Sequence, residues 1–167
     1  MEKFKKRTFS GLKEFIEELK FIIKNRKQIK RLEEGELIEA KLRQRLMIAV
    51  TKVNGCRYCS YYHSKLALKA GISQEELDSL LAGELNDCPE EEVLALVYAQ
   101  HWTEKRGQPA QEMIDKIKNK YGTDKFETIN LAIRMINFGN LSGNSFDYLL
   151  YKLSFGLLGQ GRSNNNN

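Results

Sequence analysis

Proline is almost missing from this chain, with two in 167 residues, and there are only three cysteines, two histidines and one tryptophan. So little proline leaves long helices uninterrupted. Three cysteines are too few for a disulfide scaffold. No apolar run approaches the roughly 18–20 residues that span a bilayer. The charged start (Glu2, Lys3, Lys5, Lys6, Arg7) leads into no unbroken apolar stretch, so no secretory signal and no membrane association are expected. No flavin, nicotinamide or haem motif is present, so no cofactor is expected. Strand alternation, internal repeats and nucleic-acid motifs are also missing. These absences point to a cytoplasmic protein that binds no nucleic acid.

What is present is helical. Hydrophobic residues make up 41% of the chain, enough to fill one core, and Leu, Lys, Glu and Ala are abundant. Residues 1–31 hold eleven Lys/Arg against four Glu, while the rest is close to neutral; this basic segment reads as a solvated helix face.

Periodicity divides residues 1–160 into one all-α domain, a bundle of about six to eight helices, with a disordered tail over 161–167. A basic amphipathic helix is expected over about 10–32, with Phe9, Leu12, Phe15, Ile16, Leu19, Ile22 and Ile23 as its apolar stripe. A core of about 36–82 follows, in which Leu46–Val50 is apolar enough to be buried all round. Gly71 reads as a helix stop and Ser73 to Glu76 as a capping box. Pro89 suits a first helical position. Further helices are expected up to Gly107 and from Pro109 to Gly122, and Thr123 suits the N-cap of the last. Gly139 and Gly143 are expected to bend or break that last helix. Asn137, Asn140 and Asn144 beside them read as a loop, with helix–helix hydrogen bonding the other possibility.

The chemistry concentrates in Cys56-Arg-Tyr-Cys59-Ser-Tyr-Tyr-His63. Offsets of i, i+3 and i+7 align both thiols and the imidazole on one helix face. Asn54-Gly55 marks a turn just before them, so the cysteines open a new helix, where unpaired N–H groups favour a thiolate. The helix-start argument favours Cys56 as nucleophile; the spacing to His63 favours Cys59. A redox dithiol is the leading reading. The alternative is a zinc-stabilised or partner-binding module, with Cys56, Cys59 and His63 as ligands and Cys88 or His101 as a possible fourth. Cys88 otherwise reads as a helix-start residue, Trp102 and His101 as core or interface, and Tyr58, Tyr61 and Tyr62 as core or subunit packing.

The stretch LRQRLMIAVTKVNGCRYCSYYHSKLALKAGISQEEL, from Leu42 to Leu77, resembles the core of the carboxymuconolactone decarboxylase family, most closely its alkylhydroperoxidase D (AhpD)-like redox branch. Asn54, Gly55, Cys56, Tyr58, Cys59, His63, Ala67, Gly71 and Ser73 carry the resemblance. It implies an all-helical fold, homo-oligomers (trimers or hexamers), and reduction of peroxides or disulfides by the cysteine pair. It also implies that Cys59 attacks peroxide. The excess of large apolar residues from Phe138 to Phe155 agrees with self-association. A non-redox, decarboxylase-like enzyme is a further alternative, which the cysteine pair argues against.

One departure matters. Relatives in that branch usually carry a Glu twelve residues before the first cysteine, as a proton relay with the histidine; here that position is Gln44. A second relay position, between the cysteines, is Tyr58. An amide exchanges no proton at neutral pH, which weighs against peroxidase turnover more than against thiol–disulfide exchange. The resulting expectation is an oxidoreductase acting on a hydroperoxide or disulfide. Cys59 would become a sulfenic acid, Cys56 would resolve it, and an external thiol reductant would attack Cys56 as the more exposed sulfur.

Overall fold

A computed structural model describes residues 4–159, and the tail expected over 161–167 lies outside them. The described residues form seven helices and no strand: α1 (Leu12–Lys24), α2 (Arg26–Glu33), α3 (Ala40–Asn54), α4 (Arg57–Lys69), α5 (Gln74–Ala82), α6 (Glu90–Glu104) and α7 (Gln111–Leu153). The expected all-α bundle is what the chain forms.

Helix α3 is the axis, in contact with α4, α5, α6 and α7. The run Leu46, Met47, Ile48, Ala49, Val50 is wholly buried, as its composition requires, because neighbours cover every side of it. Leu77 and Leu80 of α5, Leu96 and Tyr98 of α6, and Ile129 and Ile133 of α7 complete the core. Three consecutive glutamates, Glu90 to Glu92, start α6, where the positive end of its dipole favours them. Pro89 is its N-cap, one position earlier than expected.

Several expectations need correction. The helix over 10–32 is two helices, broken at Asn25, whose side-chain amide donates to the Phe21 carbonyl 2.9 Å away and competes with the backbone ladder. Its apolar stripe is only half covered: α1 buries no residue fully, and Leu12, Ile16 and Ile23 are exposed. The basic N-terminal segment is not simply a solvated face either. Lys6 forms a buried ion pair with Asp147 at 2.5 Å, and Arg7 donates to the Thr103 carbonyl at 2.7 Å. At Ser73 only half the capping box forms: its hydroxyl accepts from the Glu76 N–H, but the Glu76 carboxylate is held elsewhere.

The last helix differs most. Gly122 (φ 77°, ψ 166°) divides α7 where the sequence placed a stop, but Gly139 and Gly143 neither bend nor break it. A helical glycine costs only about 1 kcal/mol relative to alanine, and here burial of Asn137, Asn140 and Asn144 against other segments holds the segment helical. The loop reading of those asparagines gives way to helix–helix hydrogen bonding.

A buried charge cluster fixes α3 against α5 and α6. Arg45 makes a forked contact with Glu76 (2.5 and 3.1 Å) and reaches Glu92 at 2.9 Å. Such a cluster adds little net stability over apolar packing, yet losing one member leaves a buried charge unpaired, so it enforces one register of the three helices.

Candidate active site

Cys56 lies between two helices that are joined by a very short turn. Helix α3 ends at Asn54, and Gly55 adopts the left-handed conformation (φ 71°) that closes it, a backbone state glycine enters without steric cost. Cys56 is then the N-cap of α4, and its Sγ accepts from the Cys59 N–H at 3.4 Å. This puts both sulfurs at the positive end of the α4 dipole, as the turn signal implied. The two are joined, Cys56–Cys59, with Cα atoms 5.4 Å apart.

The turn is clamped from behind by α7. Asn54 Nδ2 donates to Asn137 Oδ1 (2.9 Å) and Asn140 Oδ1 (3.3 Å), and its carbonyl accepts from Asn144 Nδ2 (2.8 Å) and the Arg7 N–H (3.1 Å). Asn140 Nδ2 donates to Thr51 Oγ1 at 3.2 Å. The sequence offered helix–helix hydrogen bonding by the α7 asparagines as its second reading, but not which turn they hold. The signal was available: 137, 140 and 144 repeat the i, i+3, i+7 offsets of the cysteine motif. Gly143, on the same stretch, faces the disulfide, since a Cβ there would stand 3.6 Å from Cys56 Sγ. A larger side chain would press on that sulfur.

This packing reverses one expectation. Cys56 is only 2% exposed, whereas Cys59 is half-buried. The more accessible sulfur therefore belongs to Cys59, because Cys56 sits in the crevice between the α3–α4 turn and α7.

His63 stands one turn beyond Cys59 on the same helix. Its Nδ1 lies 2.9 Å from Gln44 Oε1, and Gln44 is buried on α3. An amide oxygen only accepts, so the neutral ring carries its proton on Nδ1 and leaves Nε2 as the free acceptor. Burial, with the Arg43 guanidinium adding to it, holds the His63 pKa down to about 4. No carboxylate offsets either effect, and the imidazole is neutral at pH 7.

Tyr58, Tyr61 and Tyr62 are 58%, 65% and 59% exposed, so they are not core residues in the single chain. The Tyr58 ring carries the Arg57 guanidinium, which also donates to the Tyr58 hydroxyl at 3.3 Å. Trp102 is buried, and His101 is half-buried, its Nε2 accepting from the Ala110 N–H. Cys88 is a buried free thiol, pushed up to about 11 by burial and by Glu76. Among the described residues no three His, Cys, Asp or Glu side chains converge to hold a metal ion. None of their helices is long and apolar enough to cross a membrane.

Two open cavities lie elsewhere. One, of about 710 Å³, is bounded by Phe21, Tyr98, Trp102, Phe126 and Arg134; the other, of about 680 Å³, by Leu42, Glu92 and Tyr121. Neither is lined by Cys56, Cys59 or His63.

No curated protein and no solved structure matches the chain. Residues 20–99, from α1 through the CxxC helix into α6, match the carboxymuconolactone decarboxylase family, and the family resemblance carried by the motif is the one this segment shows.

Proposed function

We propose that the chain is an AhpD-like thiol–disulfide oxidoreductase in which Cys56 and Cys59 cycle between dithiol and disulfide, with hydroperoxide reduction as the slower of its activities. The observation that carries this reading is the Cys56–Cys59 pair at the N-terminus of α4, with His63 one turn away. In the reduced state the helix terminus favours a thiolate. The Cys59 thiolate attacks the terminal oxygen of a hydroperoxide, the O–O bond breaks, and the alkoxide leaves with a proton delivered through His63 or water. Cys59 is then a sulfenic acid. Attack by the Cys56 thiolate on its sulfur forms the disulfide and expels hydroxide, which takes up a proton to become water.

Reduction reverses the sulfur chemistry without any oxygen. A thiolate of the reductant attacks Cys59, the accessible sulfur, and the S–S electron pair leaves on Cys56, where the Cys59 N–H receives it. This half-reaction needs little proton traffic at His63, so Gln44 impedes it less than peroxide cleavage.

Mild oxidation with hydrogen peroxide, then mass spectrometry, tests the reading. Loss of two hydrogens is expected on the peptide spanning Cys56 and Cys59, with Cys88 left as a free thiol because its raised pKa leaves almost no thiolate at pH 7. Stoichiometric zinc in protein purified without chelator, and no such loss, would refute it.

Self-association belongs to the same proposal. Phe146, Leu149, Leu153 and Phe155 are exposed at the C-terminal end of the described chain, an apolar surface a monomer rarely shows. Light scattering at micromolar concentration is expected to give a trimer or hexamer, and a mass of 19.3 kDa would contradict it.

A further inference from the structure

The outward face of α4 has a one-sided chemistry. Its thirteen residues include Arg57, Lys65 and Lys69 and no aspartate or glutamate. Three exposed tyrosines lie among them. Lys65 Nζ stands 4.3 Å from the Tyr61 ring centre and the Arg57 guanidinium 5.1 Å from that of Tyr58. Tyr62 meets His63 edge-on at 5.1 Å.

Some surface lysines elsewhere are neutralised within their own segment, while others, such as Lys118, Lys125 and Lys152, also stand over aromatic rings without a carboxylate partner among the described residues. Lys13 and Lys116 each pair with a glutamate on their own helix, and Lys30 with Glu34, the C-cap of α2. Arg57, Lys65 and Lys69 have no carboxylate partner among the described residues. Lys41 adds to them at the far end of α4, since a Cβ at Gly71 would lie 3.4 Å from its Cε. Cys59, the less buried of the two cysteines, is on the same helix, and neither cavity described above is lined by it.

We infer that this face docks a dithiol protein whose surface around its reactive cysteines is acidic, and that this protein is the reductant of the Cys56–Cys59 disulfide. The inference rests on the redox reading above and adds the identity of the partner's surface. Twelve helical steps separate Arg57 from Lys69, roughly 18 Å at 1.5 Å per residue. A small dithiol at Cys59 touches only one end of that span, whereas a protein surface covers it. Tyrosines supply contact area at low entropic cost, and unpaired cations steer an opposite charge to the disulfide. A nucleic acid or a membrane would meet the same cations but carries no thiol to deliver.

The electrons balance as follows. One partner thiolate attacks Cys59 Sγ, forming a mixed disulfide and releasing Cys56 as thiolate. The partner's second thiol, as thiolate, attacks its own bonded sulfur, closing the partner disulfide and releasing Cys59. Two electrons pass from the partner dithiol to the Cys56–Cys59 pair, and solvent exchanges the protons.

Two synthetic dithiol peptides test this. They share one CxxC core, flanked by four aspartates in the first and four lysines in the second. Each one's rate of reducing the oxidised full chain is divided by its rate with uncharged hydroxyethyl disulfide, which removes differences in thiol acidity. The aspartate peptide is expected to be faster by about tenfold or more at low salt, the ratio falling toward one as salt screens the face. The double variant Lys65→Glu, Lys69→Glu should narrow or reverse the preference while dithiothreitol reduces it as fast as the parent. Equal rates, or a preference that the charge reversal leaves alone, would overturn the inference. So would both peptides lagging far behind dithiothreitol regardless of charge, the result if another copy of the chain covers α4. Failure of dithiothreitol itself to reduce the pair would instead refute the redox reading.

Discussion

Cys59→Ser is expected to abolish both peroxide consumption and disulfide exchange, and Cys56→Ser to stop turnover but leave a single attack per chain. The asymmetry follows from burial. Cys59 is half-buried and open to substrate, whereas Cys56 lies at 2% exposure behind the α3–α4 turn and against Gly143. A serine hydroxyl is a far weaker nucleophile than a thiolate at neutral pH, and loss of a covalent nucleophile removes about three orders of magnitude or more. In Cys56→Ser the Cys59 sulfur still reacts once and then has nothing to resolve it. Dimedone should label Cys59 as a sulfenic acid after peroxide, and a model disulfide should leave a stable mixed disulfide on it. Multiple turnovers by Cys59→Ser, or dimedone on Cys56 in that variant, would mean that the buried sulfur attacks and that the accessible-sulfur assignment is wrong.

The parts of this site written in one stretch of chain were legible in the sequence; those that depend on distant segments were not. A helix with both cysteines at its start follows from Asn54-Gly55 and the i, i+3, i+7 offsets, because turn chemistry and helical period are local. The Ser73 cap and the buried run of α3 are equally local. Gln44 was singled out only through the family resemblance, and its Oε1 lies 2.9 Å from His63 Nδ1. The pairing of Arg45 with Glu76 and Glu92 had no local signature, since its members are separated by 31 and 47 residues. The same holds for Lys6 with Asp147 and for the asparagines of α7 that grip Asn54. Tertiary contact also hid Cys56: the sequence reading took it as the more exposed sulfur, and packing between the α3–α4 turn and α7 leaves it 2% exposed.

Gln44→Glu is expected to raise the hydroperoxidase rate by about a hundredfold and to change exchange with a small dithiol much less. Displacing an alkoxide from peroxide needs a proton, and a positioned general acid is typically worth about 10²–10⁴-fold. His63 is poorly able to supply it here. Burial and Arg43 hold its pKa at about 4, so at pH 7 it is almost entirely neutral, and the Gln44 oxygen at 2.9 Å fixes its Nδ1 proton without adding charge. A carboxylate in that place favours the imidazolium, which moves the His63 pKa upward and gives the leaving oxygen an acid more fully protonated at neutral pH than in the parent. The acid contributed by His63 is therefore lost above its low pKa in the parent, and the variant is expected to keep peroxidase activity to higher pH than the parent. His63 ring-proton chemical shifts followed by NMR should show the parent midpoint near 4 and a higher one in the variant. His63→Ala should lower the hydroperoxidase activity, and thiol–disulfide exchange less, since it removes the proton carrier one turn from Cys59. An unchanged peroxide rate in a folded Gln44→Glu protein whose His63 midpoint has risen would show that protonation at His63 does not limit O–O cleavage. A silent His63→Ala would show that solvent serves Cys59 directly.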